Sequence, residues 1–255
     1  MNLEHSIKPK LCYTIWFSQR TGSTLLCKAL QSTGIAGKPS EWLSSSDLLN
    51  KYQTNNYEEL QKKLWQLGTT SNGVFGIKTG AYQPYFNKML KTLKCFPGCN
   101  YRTNSSVEIW HNAFPNCKHI YMTRRNKVRL AVSWWKAIQS KKWHREKGEL
   151  PIARDLKDKY CYDAIAHLFA ECSMREAAIQ DFLAEGSIVP LTIVYEDFVL
   201  SYEKTIEDIF DYLELSNAYG VSLAPPPLQK LADSVSEEWV QRFRKERQKG
   251  WNNFW

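Results

Sequence analysis

The sequence predicts an α/β protein, a P-loop-like parallel sheet with helices on both faces, and three observations carry that expectation. Apolar runs of strand length alternate with segments of helical periodicity, the order that a parallel sheet with crossover helices requires. Those runs are apolar throughout, as strands buried on both faces are. The first of them passes directly into "FSQRTGSTLLCKAL" (17–30), where a glycine-centred turn opens a helix.

Taken in order, "LCYTIWF" (11–17) is a buried strand and a helix follows from Ser23 to about Thr33. "NYEELQKKLWQL" (56–67) is an amphipathic helix, "GVFGIKT" (73–79) a short strand and "YFNKMLKTL" (85–93) a helix. "CKHIYMTRR" (117–125) is the next strand, and "KVRLAVSWWKAIQS" (127–140) is a helix with aromatics on one face. Residues 141–160 are dense in charge and contain Gly148 and Pro151, which predicts a mobile loop, a candidate lid over an acceptor. A long helix is expected over 162–184, a strand over 188–198 and a helix over 201–213. "APPPL" (224–228) breaks the chain before a last helix at 235–248. No repeat, low-complexity tract or long linker divides it, so one domain over residues 1–255 is expected.

Composition narrows the function classes. A chain of 255 residues with 13% aromatics and ten Trp can bury a core and does not resemble a disordered one. Its apolar stretches of about seven residues fall far short of the roughly 20 that cross a bilayer. "MNLEHSIKPK" lacks the apolar stretch of a signal peptide, so a soluble, cytoplasmic protein is expected. The seven scattered Cys include Cys95 and Cys99, with no His at ligand spacing, and read as free thiols in a reducing compartment with no metal site. Asn104-Ser105-Ser106 is a glycosylation sequon, which in an unsecreted chain is an ordinary polar loop. The net charge of +8 points to anionic partners without choosing among nucleic acid, an acidic membrane face and a small polyanion.

The opening turn is more selective. In Ser18-Gln19-Arg20-Thr21-Gly22-Ser23-Thr24, Gly22 permits a turn that a Cβ hinders, so that helix N-terminal N–H groups converge where the dipole favours negative charge. Arg20 adds a forked cationic donor. Ser23 as a plain N-cap is the structural alternative. The turn is not a Walker A loop, because G-x-x-x-x-G-K-[ST] is absent, and a donor that needs no Mg²⁺ suits it. A second anion site is suggested by Arg124-Arg125 at the end of a strand, with Ser133 eight residues beyond Arg125; a solvated basic helix start is the alternative.

Together these segments resemble the sulfotransferases. "SQRTGSTLLCKAL" is similar to their 5′-phosphosulfate loop, and "RNKVRLAVS" to their 3′-phosphate motif. "SQRTGSTLLCKALQSTGIAGKPSEW", "GVFGIK", "TRRNKVRLAVSWWKA", "LTIVYEDF" and "SEEWVQRFR" follow in the order of the bacterial trehalose 2-sulfotransferase-like family, a resemblance that covers nearly the whole chain. It implies the sulfotransferase fold. It also implies 3′-phosphoadenosine 5′-phosphosulfate (PAPS) as donor, adenosine 3′,5′-bisphosphate as product, no metal, and sulfation of a hydroxyl on a sugar or glycolipid precursor. Carried over, it puts Arg20, Thr21, Gly22, Ser23 and Thr24 on the phosphosulfate, with Arg20 also catalytic, and Arg125 and Ser133 on the 3′-phosphate. Glu41 in "GKPSEW" falls on the carboxylate that the family uses as its base; read alone it is a surface or helix N-terminal acid. Dimerisation is expected from the resemblance only.

Further candidates around the acceptor are Trp42, Lys78 in "GIKTG" and His111 in "EIWHNAF", the last as a competing base. A snorkelling Lys and a hydrogen-bonded core His are their structural alternatives. Trp134 and Trp135 are candidates for stacking on a ring, or core. In "RQKGWNNFW", Lys249 and Gly250 faintly echo a basic-glycine stretch that holds the 3′-phosphate in cytosolic sulfotransferases. "WLSSSDLLNKYQTNNYEEL" (42–60) does not align with the trehalose-gripping residues, so trehalose, another sugar, a natural product and a lipid headgroup stay open as acceptors. A nucleic-acid binder accounts for the +8 charge but not for an anion turn at a strand end. A small-molecule kinase lacks its Walker lysine and an evident magnesium carboxylate.

Overall fold

The structure, a computed structural model, describes residues 8–99, 102–150, 156–215, 221, 223–229 and 231–251. Four parallel strands run in the order β2-β1-β3-β4: β1 (Leu11–Phe17), β2 (Val74–Thr79), β3 (Cys117–Thr123) and β4 (Leu191–Val194). β1 lies at the centre, with Cys12 opposite both Phe75 and Cys117, and Trp16 opposite both Thr79 and Tyr121. The expected parallel sheet with helices on both faces is what the chain adopts.

Because successive strand residues point to opposite faces, β1 serves two cores at once. Tyr13, Ile15 and Phe17 pack with α1 (Ser23–Ser32) and α9 (Tyr202–Leu213) through Leu26, Leu30, Ile206, Ile209 and Phe210. Cys12 and Trp16 pack on the other face. There they meet α3 (Tyr57–Gly68), α4 (Tyr85–Leu93), α5 (Ser106–Ala113) and the lower half of α7 (Tyr162–Glu185). The upper half of α7 joins α6 (Lys127–Ser140) and α10 (Ser234–Arg247) in a third cluster around Trp239.

A polar thread runs through the second face. The Trp16 indole donates to His119 Nδ1 at 2.9 Å, and His119 Nε2 lies 3.0 Å from His111 Nε2. An indole N–H can only donate, so His119 carries its proton on Nε2 and donates it to His111. Burial lowers the pKa of both rings, that of His119 to about 4.

One expected strand is corrected. Residues 188–198 contain only the four-residue β4, followed at once by α8 (Tyr195–Leu200). Pro190 has no N–H for a ladder. Beyond Val194, Glu196 and Asp197 occupy the first turn of a helix, where the dipole favours acids. Two helices that lack a strong apolar period were not expected. α2 (Leu48–Tyr52) is capped by Asp47, and α5 by Ser105. The strand expected to 125 ends at Thr123, leaving Arg124 and Arg125 in the turn before the α6 cap Asn126.

The strand order positions the site. From β1 the chain crosses to β2 on one side and then to β3 on the other. The loops leaving β1 and β3 therefore flank one crevice at the carboxyl ends, where such sheets bind ligands.

Candidate active site

The loop after β1 is held in an unusual backbone. Arg20 has φ 67° and Gly22 φ 85°, both left-handed, and the buried Thr21 hydroxyl donates to the Ser18 carbonyl at 2.8 Å. A Cβ on Gly22 would stand 2.6 Å from the Tyr195 ring, so glycine is required there twice over. Gly22 is the N-cap of α1 and brings no side-chain acceptor, and no acid occupies the first turn. The first-turn N–H groups, Ser23 and Thr24 among them, thus keep their donor capacity for an outside anion.

Arg20 turns back across the crevice. Its Nε donates to Ser133 Oγ on α6 at 3.1 Å, and its Nη1 to the Trp143 carbonyl. Burial and the nearby Arg124 pull its pKa down to about 10, which still leaves it cationic at neutral pH. Among the described residues it forms no ion pair with a carboxylate. A desolvated guanidinium beside a second one is unfavourable unless an anion joins them.

The loop after β3 is braced from α8. Arg124 lies 4.8 Å over the Tyr195 ring, with Nε 3.4 Å from Glu196 Oε1. The Arg125 backbone N–H donates to Glu196 Oε2 at 2.9 Å, while its exposed guanidinium pairs with Asp197. Ser133 is therefore brought to Arg20, whereas the Arg125 side chain is directed outward to α8. Tyr195 was not foreseen, yet its ring meets both Gly22 and Arg124 and links the two loops.

A buried carboxylate forms a second link. Glu176 on α7 accepts from Lys127 Nζ at 2.6 and 2.7 Å, from Thr123 Oγ1 at 3.1 Å and from Ser18 Oγ at 3.3 Å. Beside it Arg175 stacks on Tyr82, 3.8 Å from its centroid, and donates to Gln19 Oε1 at 2.6 Å. Sequence reasoning missed both residues, since nothing in "SMREAA" marks a helix acid whose partners lie 49 to 158 residues away.

Glu41 sits across the crevice from α1. The Lys78 N–H donates to the Ser40 carbonyl at 2.9 Å and Ser40 bridges to Ile77, so the segment before Glu41 is tied to β2. Lys78 Nζ lies 2.9 Å from Glu41 Oε1, 3.2 Å from Thr24 Oγ1 and 4.7 Å above Phe17. One buried ammonium thus joins the carboxylate to the helix N-terminus. Two cavities open here, of about 280 and 670 Å³, and Glu41 and Trp42 line both. The Trp42 indole is held by the Gly76 carbonyl at 2.9 Å.

Residues 141–150 of the expected loop touch the crevice residues Arg20 and Lys28, and 151–155 lie outside the described residues. Besides the Trp143 contact, Glu146 pairs with Lys28 on α1. His144, also unforeseen, is desolvated among Arg20, Lys78 and Lys28, which lower its pKa to about 4, while Glu41 opposes the shift.

The remaining candidates lie elsewhere. His111, itself exposed, is paired with the buried His119 and shares no contact with Arg20, Lys78 or Glu41 among the described residues. Trp134 is buried, and Trp135 donates to the Lys159 carbonyl at 2.7 Å. Lys249 and Gly250 follow the end of α10, and residues 252–255 of that tail lie outside the described residues. Among the described residues no group of three His, Cys, Asp or Glu could hold a metal, and no helix is long and apolar enough to cross a membrane.

Two comparisons bear on this site. The family model for Stf0 sulphotransferase matches residues 12–246. Trehalose 2-sulfotransferase of Mycolicibacterium smegmatis is 27% identical over 266 residues, covering 93% of this chain and 96% of that protein. Trehalose 2-sulfotransferase of Mycobacterium tuberculosis is 27% identical over 273 residues, covering 96% and 97%.

Proposed function

Because the chain belongs to the Stf0 sulphotransferase family, we propose that it moves a sulfuryl group from PAPS to a hydroxyl of a carbohydrate-like acceptor, with Glu41 as general base. The observation that carries this reading is the state of Arg20. It is a desolvated cation in a left-handed turn, hydrogen-bonded to Ser133 of the second anion motif and paired with no carboxylate among the described residues. A donor with anionic groups at two places answers both motifs.

The acceptor oxygen attacks sulfur as the bond from sulfur to the 5′-phosphate oxygen breaks, and the acceptor proton passes to Glu41. By analogy with phosphoryl transfer the reaction is mostly positioning and charge stabilisation. Charge builds on the departing phosphate, beside the α1 N–H groups and Arg20, which supply fixed donors without reorganisation. Lys78 spans Glu41 and Thr24, so it holds the carboxylate in place and adds a positive charge on the leaving-group side. Arg124, Arg125 and Ser133 serve the 3′-phosphate, with Arg125 exchanging Asp197 for that group. The larger cavity beyond Glu41 has the volume of a small-molecule site and takes the acceptor. The names of the relatives support a sugar there. Seven free cysteines fit a reducing compartment, in keeping with a cytoplasmic enzyme.

Titration with adenosine 3′,5′-bisphosphate in the presence of a chelator tests the reading. Micromolar binding without metal is expected, with ATP and magnesium binding more weakly. Tighter binding of ATP–magnesium, or of single-stranded DNA with a steep salt dependence, overturns it.

A further inference from the structure

The two neighbouring cavities, which share Ser40, Glu41, Trp42 and Leu67, are lined by five lysines, at positions 28, 38, 51, 63 and 78, and by one carboxylate, Glu41. Two of the five are neutralised, Lys78 by Glu41 and Lys28 by Glu146. Lys38, Lys51 and Lys63 have no carboxylate within ion-pair distance among the described residues. The acids that could have served them are engaged elsewhere: Asp47 caps α2 through the Asn50 N–H at 3.0 Å, and Glu58 pairs with Lys62 at 2.6 Å. The contrast between adjacent residues on α3 is direct, since Lys62 is paired away from the cavity and Lys63 lines it unpaired. The wall that carries Lys51 is itself held: its ammonium lies 5.0 Å over Tyr52, and the Tyr52 hydroxyl donates to the Trp42 carbonyl at 2.6 Å.

We propose that the acceptor of this enzyme is itself an anion: a hydroxyl compound bearing a phosphate or carboxylate, held by Lys51 and Lys63 while its hydroxyl reaches Glu41. The inference rests on the sulfotransferase reading and adds the chemical class of the acceptor. A concave surface with several unpaired cations focuses positive potential and draws in anionic ligands. It also answers a problem of the reaction, because the donor brings several negative charges to the neighbouring site and would repel a second anion unless lysines screened the two. Lys38, which lines the smaller cavity between donor turn and acceptor space, is placed for that screening. The transfer itself is unchanged: the acceptor O–S bond forms, the bond from sulfur to the 5′-phosphate oxygen breaks and the proton goes to Glu41.

The test uses the full chain saturated with adenosine 3′,5′-bisphosphate and compares calorimetric binding of glucose, glucose 6-phosphate, glucuronate, trehalose and inorganic phosphate. Glucose 6-phosphate or glucuronate is expected to bind at least tenfold more tightly than either neutral sugar and than inorganic phosphate. That advantage should be lost in K51Q/K63Q, while bisphosphate binding persists and shows that the variant is folded. Equal binding of charged and neutral sugars, no binding of either charged sugar, an advantage that survives K51Q/K63Q, or inorganic phosphate binding as well as glucose 6-phosphate overturns the inference. Failure of the bisphosphate to bind at all is a different result and overturns the donor reading instead.

Discussion

Glu41 is the residue on which the proposed chemistry turns, and its setting makes the test clean. It is about half exposed, and Lys78 holds one of its oxygens. Glu41→Gln removes the proton acceptor while keeping a side chain of the same shape. Turnover is expected to fall by about 10²-fold or more, with bisphosphate affinity unchanged. Turnover within about threefold of wild type would remove Glu41 from the role. The sequence shows some of these residues and hides others, for a reason of distance along the chain. The turn through Arg20 and Gly22 into α1 was legible because a glycine-centred strand-to-helix turn is a local pattern written in consecutive positions. Lys78 next to Glu41, Tyr195 under Gly22, His144 among the cations and Glu176 between the loops are contacts across 37 to 173 residues, which periodicity cannot report. Of the two arginines after β3, Arg124 is the desolvated one and Arg125 the exposed one, a difference that their adjacent positions do not reveal.

At the scale of elements, the join between β1 and α1 carries the tightest constraint. Gly22→Ala sets a Cβ in a left-handed backbone and 2.6 Å from the Tyr195 ring. The backbone term is about 1–2 kcal/mol, and overpacking adds about 1–3 kcal/mol. A lower urea midpoint and a loss of bisphosphate affinity are expected together, because the ring that must shift also supports Arg124. A variant that binds the bisphosphate as wild type does, at an unchanged midpoint, would show that the turn tolerates a side chain. The buried strands were read well from apolar runs, whereas β4 was overextended because "IVYEDF" is apolar enough to pass for strand until its acids are seen as a helix start. The short α2 and α5 were signalled only by their caps, Asp47 and Ser105, and those residues are as common in loops as at helix ends.

For the whole molecule, the histidines tie stability to pH. Burial lowers His119 to about 4, desolvation together with Arg20, Lys78 and Lys28 lowers the more exposed His144 as far, and His111 falls below its ordinary value as well. The unfolded chain takes up these protons near pH 6.5, whereas the folded chain resists them. Stability is therefore full above about pH 6.5 and declines as pH falls towards 4. The urea midpoint should be clearly lower at pH 5 than at pH 7, and His119 should stay neutral by NMR at pH 5; equal midpoints would contradict the burial described. Deepest in that fold is β1, with β2 on one side and β3 on the other, and this has a consequence for how the protein is made. The middle of the sheet is synthesised first, yet its second neighbour ends only at Thr123. Until the ribosome has added about a hundred further residues, seven largely apolar ones wait without a complete seat. Maturation of this enzyme is thus paced by long-range pairing, and the nascent chain is at its stickiest before its binding crevice exists.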